Sequence, residues 1–400
     1  MPKKREIEAY NNSVNIPVYN SASYYFDDRE QVIEGLHKKS IPVGRYGRYN
    51  NPTWVHVENR LSQLSRAEDT LIFSSGMAAH FTTFIALLKA GDHVIFPAEC
   101  YRQVRNIFHK ILPKYGVIAH EVSIVDPEEF VNQVESLSKK HNVRLIHLEM
   151  PSSPHMYLID LCKVKDVLKK ETIITMDSSF APPPNFYALD WGVDLAIFSG
   201  TKYLNGHGDI IVGVVSGKKE LIEEINWYRD TTGPVPDGQV AYLLNRSLHT
   251  LNLRIKEINE KGLKVANFLQ SRPEIKSVLY TGLETHPHYA LAKKYLNGHG
   301  GVITFALDLN EEQTSNFVDS LKEPFMASNF GAPQTLIEQS TFFTYYEYSE
   351  KELDDIGVSY GTVRLALGYI DDTDAIIADI SKALSSLAEE VNDVKNPTTV

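Results

Sequence analysis

The chain has 400 residues, 43% of them hydrophobic, which is enough apolar material for a substantial core and a length that favours two domains. Acidic residues outnumber basic ones by 51 to 40, and the formal charge of −11 argues against nucleic acid as a partner, since nonspecific binding needs a surplus of cations. Two cysteines are too few for a disulfide framework or a cysteine-rich zinc site.

The N-terminus is basic but has no apolar stretch after it, so it lacks the pattern of a secretory signal. No apolar run approaches the roughly 20 residues that a helix needs to cross a bilayer. We therefore expect a cytoplasmic protein without a membrane partner.

Residues 1–50 are polar and irregular, with scattered aromatic side chains and one short helix candidate, Asp27 to His37. Such a segment is typical of an arm that packs on a partner subunit, although it could also wrap its own domain. The composition does not distinguish these two arrangements.

Between residues 70 and 217, short apolar runs alternate with segments of helical length, such as Gly76 to Ala90 and the one that starts at Asp126-Pro127. Seven such runs are predicted strands: Thr70–Phe73, His93–Phe96, Val117–His120, Val143–Leu148, Thr172–Met176, Leu195–Phe198 and Asp209–Val215. The alternation predicts an α/β fold with a mostly parallel seven-stranded sheet between helices. In such sheets, ligands bind beyond the carboxyl ends of the strands.

The alternation of predicted strands and helices ends at Gly233-Pro-Val-Pro236. After it, one long helical stretch is expected over roughly Asp237 to Gln270. The remaining residues combine strands with helices, which predicts a smaller α+β C-terminal domain. The predicted strands are Ile275–Tyr280, Gly301–Leu307 and Thr362–Leu367, and the predicted helices are Glu311–Leu321 and Thr373–Val391. We expect an N-terminal arm over 1–50, a large cofactor-binding domain over 51–240 and a small domain over 241–400.

The segment from Ser199 to Gly208 places Lys202 just after an apolar strand and ends in glycines. Partial desolvation there would lower the pKa of the Lys202 amine and make it a usable nucleophile. The hydroxyls of Ser199 and Thr201 are suited to binding phosphate. An ordinary turn with an exposed lysine is the alternative interpretation.

Asp177 ends another apolar strand, where a carboxylate is costly unless it has a cationic partner. A protonated pyridine nitrogen would be such a partner, and a nucleophilic lysine with an aspartate is the pair that pyridoxal 5′-phosphate (PLP) requires. A helix cap or a turn acid is the alternative. Ser74-Ser-Gly-Met77 lies between a strand and a helix, and its backbone could receive an anion at the helix N-terminus.

Three motifs, namely Ser74 to Met77, Asp177 and Ser199 to Gly208, occur in this order along the chain. In this order and spacing they resemble the cysteine/methionine-metabolism family of PLP-dependent enzymes. That fold-type-I family includes cystathionine γ-synthase, the cystathionine lyases, methionine γ-lyase and the O-acylhomoserine sulfhydrylases. The resemblance extends over nearly the whole chain and rests on these segments: Pro17–Phe26, Tyr46–Thr53, Phe73–Ala79, Gly91–Val94, Met176–Phe180, Ser199–Asp209, Leu248–Leu251, Gly300–Gly301 and Val363–Gly368. It implies a fold-type-I transferase fold with PLP as the cofactor.

The resemblance also implies roles for single residues. Lys202 matches the Schiff-base lysine and Asp177 the partner of the pyridinium nitrogen. Tyr101 matches the tyrosine that stacks on the ring and takes part in acid–base catalysis, and Arg364 matches the arginine that binds the substrate carboxylate. The remaining matches are Ser75, Gly76, Met77, Ser179, Ser199 and Thr201 on the cofactor side, with Asn329 and Glu149 on the substrate side.

Tyr46 and Arg48 match residues that reach the cofactor phosphate of a neighbouring subunit. The resemblance therefore implies a homodimer with shared active sites, which in this family usually pairs into a homotetramer. The expected ligand is a small amino-acid substrate. No metal ion is expected, since His286-Pro-His288 is a two-histidine pair that is more typical of a loop.

Departures from the family pattern concern the substrate. Ser153 replaces an asparagine that binds the phenolic oxygen of the cofactor, and Ser328-Asn329 stands where Glu-Ser is usual. Tyr345 lies in the aromatic run Phe342–Tyr348, where His-Pro-Ala-x-Met-Thr-His is usual. These changes indicate an altered pocket and leave open the substrate, β against γ chemistry, and elimination against replacement.

The favoured function is elimination or replacement at Cβ or Cγ of a sulfur-containing or O-acyl amino acid, through an aldimine with Lys202. An altered pocket also allows another PLP reaction, such as transamination or a specialised natural-product step. The third alternative is an inactive PLP-binding protein, against which the intact Lys202, Asp177, Tyr101 and Arg364 argue.

Overall fold

The computed structural model describes residues 14–34 and 46–395. The predicted arm is therefore described only in part, and the end of the predicted helix Asp27 to His37 lies outside the described residues. The α-helices are α1 Arg29–Val32, α2 Pro52–Ser65, α3 Gly76–Leu87, α4 Arg102–Asn106, α5 Pro127–Lys140, α6 Leu161–Val167, α7 Lys219–Thr232, α8 Gly238–Leu248, α9 Leu251–Gln270, α10 Tyr289–Tyr295, α11 Glu311–Ser320, α12 Ser340–Phe343, α13 Glu350–Asp355 and α14 Thr373–Lys395. None of these helices is both long and apolar enough to cross a membrane.

The larger sheet has seven strands in the order β1-β7-β6-β5-β4-β2-β3. Its strands are β1 Asp69–Phe73, β2 His93–Pro97, β3 Ile118–Val122, β4 Val143–Glu149, β5 Ile173–Asp177, β6 Leu195–Ser199 and β7 Gly213–Gly217. Strand β7 is antiparallel to both of its neighbours, and all other pairings are parallel. The predicted mostly parallel, seven-stranded α/β sheet is thus confirmed.

Local sequence explains most of these elements. Strands β4 and β5 are almost entirely buried because helices cover both faces of the sheet. Asp126 caps α5 by accepting the amides of Glu128 and Glu129 at 2.9 and 3.1 Å, and Pro127 occupies the first helical position. The predicted strand Asp209–Val215 was placed too early: β7 begins at Gly213, after a turn with positive φ at Gly208.

The second sheet has five strands in the order β10-β11-β12-β9-β8, as predicted for a smaller α+β region. Its strands are β8 Ile275–Leu279, β9 Val302–Leu307, β10 Phe325–Met326, β11 Leu336–Gln339 and β12 Thr362–Ala366. The fold class is thus confirmed, while the domain limits at residues 50 and 240 remain predictions.

The single long helix expected over Asp237 to Gln270 was wrong, because the chain forms α8 and α9 separated by a short turn. The buried guanidinium of Arg254 donates to the Ser247 carbonyl at 2.9 Å and to the Tyr203 carbonyl at 2.8 Å. The Ser247 carbonyl also accepts the Thr250 amide at 3.2 Å, so Arg254 adds a further donor at the end of α8. The bonds from Arg254 tie the start of α9 to the turn that follows β6.

Candidate active site

One cavity of about 350 Å³ lies at the carboxyl ends of β4, β5 and β6 and faces the second sheet. Twelve of the fourteen predicted site residues line it: Ser75, Gly76, Met77, Tyr101, Glu149, Asp177, Ser179, Ser199, Thr201, Lys202, Asn329 and Arg364. Three substituted positions of the family pattern, Ser153, Ser328 and Tyr345, line it as well. The topology therefore collects residues from separate motifs at one site.

Lys202 lies in the turn after β6, and its ammonium group faces the cavity. Nζ donates a hydrogen bond to Asn329 Oδ1 and lies 4.9 Å from the centroid of the Phe330 ring. Burial lowers the pKa of Lys202 to about 8, and the nearby positive charge of Arg364 acts in the same direction. At pH 7 about one tenth of this amine is thus unprotonated, far more than for an ordinary lysine, and this form can act as a nucleophile or a base.

Asp177 ends β5 and is 8% exposed. Its Oδ1 accepts the Ser179 amide at 2.8 Å, and its Oδ2 lies 3.2 Å from Nε2 of His80 on α3. Burial alone would raise the pKa of Asp177, but the His80 contact and the bonds from Ser179 outweigh burial and hold that pKa below its ordinary value. Asp177 is therefore a buried carboxylate that stays ionised.

Sequence reasoning missed His80. Its Nδ1 lies 2.9 Å from the Gly76 carbonyl, one helical turn earlier, and its Nε2 faces Asp177. The ring therefore places one nitrogen against a backbone carbonyl and the other 3.2 Å from the Asp177 carboxylate, which fixes its orientation beside that group. The signal was available, since a residue four positions after Gly76 lies on the same helix face as Gly76.

Glu149 pairs with Asp177 across β4 and β5 and is fully covered. Its Oε2 accepts the Tyr101 amide at 2.7 Å, while Oε1 has no hydrogen-bond partner among the described residues. Burial and the Asp177 charge raise the pKa of Glu149 well above its ordinary value. Of the two adjacent carboxyl groups, Glu149 is therefore the neutral one, and its contact fixes the backbone at Tyr101.

The N-terminus of α3 forms one end of the cavity. The Ser75 hydroxyl caps this helix by accepting the Ala78 amide at 3.0 Å. The amides of Gly76 and Met77 belong to the first turn, where backbone donors have no partner within the helix. A Cβ at Gly76 would lie 3.1 Å from Cα and Cβ of Ser199, so glycine permits this close approach. The arrangement suits an anion such as a phosphate.

The neighbouring hydroxyls brace the turn that carries Lys202. Thr201 Oγ1 accepts the Val212 amide at 3.0 Å and lies 3.3 Å from the Val212 carbonyl. Ser179 Oγ accepts the Ser199 amide at 2.7 Å. These bonds hold the ends of β5 and β6 and the start of β7 in a fixed relation around the cavity.

Arg364 comes from β12 and is 7% exposed. Its Nη2 lies 3.2 Å from Oε1 of Glu338, its cross-strand partner on β11, and its Nη1 donates to Ser153 Oγ at 3.4 Å. Glu338 also accepts the Thr344 hydroxyl at 2.8 Å and is 1% exposed. The buried carboxylate orients the guanidinium toward the cavity. Sequence reasoning missed Glu338, because its pairing depends on strand register.

Tyr101, which is 51% exposed, precedes α4 at the cavity rim. Two arginines of α4 join this rim to the aromatic run that precedes α13. Arg102 Nη1 lies 2.8 Å from Glu347 Oε2, and Arg105 Nη1 donates to the Tyr348 hydroxyl at 2.8 Å. Tyr345 is buried, and burial raises its pKa, so its hydroxyl stays protonated. The substrate side is therefore lined by aromatic side chains from the smaller sheet region.

Tyr46 and Arg48 do not line this cavity in the part of the chain that the structure describes. Tyr46 is 43% exposed, and the Arg48 guanidinium lies 4.5 Å from the centroid of the Tyr49 ring while Nη1 donates to the Asp230 carbonyl. The two residues that the sequence assigned to a neighbouring subunit's cofactor thus lie away from their own chain's site.

The cavity residues fit PLP. A buried carboxylate is present for a ring nitrogen, a desolvated amine is present for an aldehyde, and an uncrowded helix N-terminus is present for a phosphate. The buried atom Glu149 Oε1, which has no hydrogen-bond partner among the described residues, borders the same space and indicates that it suits a polar ligand. The volume lies at the lower end of the range for small-molecule sites.

Comparisons with known proteins agree with a PLP site. The family model described as "Cys/Met metabolism PLP-dependent enzyme" matches residues 3–385. Cystathionine gamma-synthase 1, chloroplastic, of Arabidopsis thaliana is 34% identical over 376 residues, which cover 94% of this chain and 66% of that protein. L-methionine gamma-lyase of Fusobacterium nucleatum subsp. nucleatum is 33% identical over 378 residues, or 93% of each chain.

The crystal structure of cystathionine gamma synthase from Xanthomonas oryzae pv. oryzae in complex with cystathionine has a TM-score of 0.87. Its identity is 26%, and the match covers 97% of this chain and 100% of that chain. The family match spans nearly the whole chain and confirms the resemblance stated above. The chain belongs to the Cys/Met metabolism family of PLP-dependent enzymes, and with PLP as its cofactor it is an enzyme of elimination or replacement at Cβ or Cγ of an amino acid.

Proposed function

We propose that this enzyme acts at Cγ of a sulfur-containing or O-acyl amino acid, with Lys202 as the base and Arg364 as the carboxylate receptor. The observation that carries the proposal is that the Lys202 amine, with a pKa of about 8, shares one cavity with the buried guanidinium of Arg364. The similarity to a cystathionine gamma-synthase and a methionine gamma-lyase favours Cγ over Cβ.

Bound PLP supplies the electron sink for the electron pair left when a proton leaves Cα. Lys202 takes that proton, and for a γ-leaving group it takes a second proton from Cβ. Asp177, kept ionised by His80, holds the positive charge of the ring nitrogen. Arg364, oriented by Glu338, binds the substrate carboxylate and so fixes which Cα hydrogen faces Lys202.

Each remaining predicted residue has a place in this proposal. Tyr101 covers the ring and exchanges a proton with the leaving group, and Glu149 positions Tyr101 through its backbone amide. Asn329 holds the Lys202 amine between proton transfers, which supports its assignment to the substrate side. Backbone amides of Ser75, Gly76 and Met77 with the hydroxyls of Ser199 and Thr201 bind the phosphate, and Ser179 fixes Asp177.

The test is a panel of cystathionine, methionine, cysteine, homocysteine, O-acetylhomoserine and O-succinylhomoserine, with assays for keto acid, ammonia and thioether product. We expect turnover of a γ-substituted member and none by Lys202→Ala. Lys219→Ala, which removes an exposed lysine, is the matched control and should keep full activity. Turnover of cysteine but of no γ-substituted compound would contradict Cγ chemistry, and amino-group transfer without ammonia release would indicate transamination.

We also propose that the active sites are shared within a homodimer, in which Tyr46 and Arg48 reach the partner's cofactor phosphate, and that two dimers form a homotetramer. The exposure of Tyr46 and the distance of both residues from their own cavity support this. The Arg48 guanidinium lies 5.7 Å from the Tyr46 ring centroid and 4.5 Å from the Tyr49 ring centroid, and these contacts keep the two residues together. The cytoplasmic location also remains a prediction from the sequence.

Complementation tests the shared site. Co-expressed Lys202→Ala and Arg48→Ala chains would form mixed dimers in which one of the two sites has both residues. If each single variant is inactive, mixed dimers should recover about one quarter of wild-type activity, since half of the dimers are mixed and half of their sites are intact. No recovery in isolated mixed dimers would contradict sharing. Light scattering checks for a particle of four 45.2 kDa chains.

A further inference from the structure

A cluster of three histidines lies at the far edge of the larger sheet. His93 is the first residue of β2, His120 belongs to the neighbouring edge strand β3, and His141 follows the end of α5. Their side chains are all half-buried. One imidazole nitrogen from each lies within 4.8 Å of the others. The cluster takes no part in the reaction described above.

Strand register explains why the first two meet. In the parallel pairing of β2 with β3, Ile95 lies opposite His120. Side chains two residues apart on a strand point to the same face, so His93 and His120 are diagonal neighbours there. His141 reaches them because it lies two residues before Val143, the first residue of β4, which pairs with His93.

We propose that His93, His120 and His141 form a binding site for one divalent transition-metal ion of the zinc type. Three imidazoles without a carboxylate favour borderline ions such as Zn²⁺, Ni²⁺ and Cu²⁺ over Mg²⁺ and Ca²⁺, which prefer oxygen ligands. Water would complete a tetrahedral shell, because the cluster faces solvent.

The geometry needs a small adjustment. His93 Nδ1 and His120 Nε2 are 2.8 Å apart, at the distance of a hydrogen bond, and the His93 and His141 rings are stacked with centroids 4.3 Å apart. Zinc–nitrogen bonds in a tetrahedral site place ligand nitrogens roughly 3.3 Å apart. Rotation about the side-chain bonds of half-buried residues is enough, and the ion takes the place of the proton between His93 and His120.

The site should act on stability and leave the cofactor cavity unaffected. The carboxyl end of β2, which leads to Tyr101, is four residues or roughly 13 Å from His93 along the strand. A bound ion would join the edge strand β3, strand β2 and the end of α5. Because the ion binds the folded chain, it should raise the thermal midpoint by a few degrees once its free concentration is well above Kd.

The experiment uses untagged holoenzyme dialysed against buffered free Zn²⁺, with bound zinc counted per chain and the thermal midpoint recorded. We expect one Zn²⁺ per chain, with more than about 100-fold weaker binding in His120→Ala and in His141→Ala. His141 lies outside the strands, so its variant separates ligand loss from misfolding. The matched control is His109→Ala, which removes an exposed histidine that contacts Glu121 and lies outside the cluster.

Two results would overturn the proposal. One is a wild-type chain that binds no Zn²⁺ at millimolar concentration, which would leave the cluster as a hydrogen-bonded stack of rings. The other is unchanged binding in both His120→Ala and His141→Ala, which would place the ion elsewhere. Mg²⁺ tested in the same way should neither bind stoichiometrically nor raise the midpoint.

Discussion

The two walls of the cavity differ in how they are built. The cofactor wall comes from consecutive strand ends of the larger sheet, where Asp177 and Lys202 are fixed by backbone bonds and by the first turn of α3. The substrate wall comes from the smaller sheet and from the aromatic run between β11 and β12, where Arg364 is oriented by Glu338 and the rim is joined by side-chain contacts. The cofactor wall thus keeps most of the family pattern, with Ser153 as a departure, while the substrate wall carries the substitutions at Ser328 and Tyr345.

The largest effect should come from the cofactor wall. Asp177→Asn replaces a carboxylate with a neutral amide of the same shape, so the ring nitrogen loses its anionic partner. We expect kcat to fall by about 10³-fold or more, comparable to the loss of a central electrostatic group in other enzymes. Steady-state kinetics and the visible absorption of the bound cofactor measure this. An Asp177→Asn enzyme with near-normal kcat would contradict this prediction, because it would show that the cofactor wall tolerates substitution as well as the substrate wall does.

The next effect concerns Arg364 and Glu338. Arg364→Gln should lower kcat/KM by about 10²–10³-fold, because charge-assisted bonds to the substrate carboxylate are lost. It should also destabilise the fold by about 3 kcal/mol, since Glu338 becomes a buried and unpaired carboxylate. The control is the double variant Arg364→Met with Glu338→Met, in which stability should return while activity does not. Unfolding in denaturant separates the two effects, and an unchanged KM for Arg364→Gln would contradict the assignment.

A smaller and pH-dependent effect should follow from His80→Phe, which keeps an aromatic ring at this position but removes the contact with the Asp177 carboxylate. Without His80, the pKa of Asp177 rises, so Asp177 is protonated at a higher pH than in the wild-type enzyme. The pKa of Asp177 is lower in the folded chain than in the unfolded chain, so ionised Asp177 stabilises the fold at pH values above its unfolded pKa. This contribution is lost as the pH falls through the folded pKa. We expect about a 10-fold loss of kcat at acidic pH and a smaller loss at alkaline pH. A loss independent of pH would indicate packing rather than charge.

The smallest effect should come from the rim. Arg102→Ala removes the contact with Glu347 and the stacking over Tyr346, where the Arg102 guanidinium lies 5.0 Å from the ring centroid. Because Glu347 is largely exposed, the loss is worth at most about 1 kcal/mol, or about a fivefold rise in KM at unchanged kcat. Separate measurements of kcat and KM over the substrate panel test this expectation. A large fall in kcat would show that the rim positions Tyr101.

The sequence by itself determined the cofactor wall. Lys202, Asp177 and Gly76 each lie at a junction of a strand with a turn or a helix, so their motifs are local and the parallel sheet brings strand ends together. It also predicted the seven-stranded sheet and three strands of the second sheet, because apolar runs are a periodic signal, but it missed the short strands β10 and β11. It misplaced the start of β7 and merged α8 with α9, since element boundaries depend on contacts such as that of Arg254 with Ser247.

Only the tertiary structure decided the contacts that tune these groups. His80 meets Asp177, Glu338 meets Arg364 and the three cluster histidines meet one another because of strand order, register and helix packing. These partners are far apart in the chain or occupy neighbouring strands whose pairing no local motif specifies. The identity of the proposed catalytic groups was therefore a local property, whereas their contacts and orientations are properties of the fold.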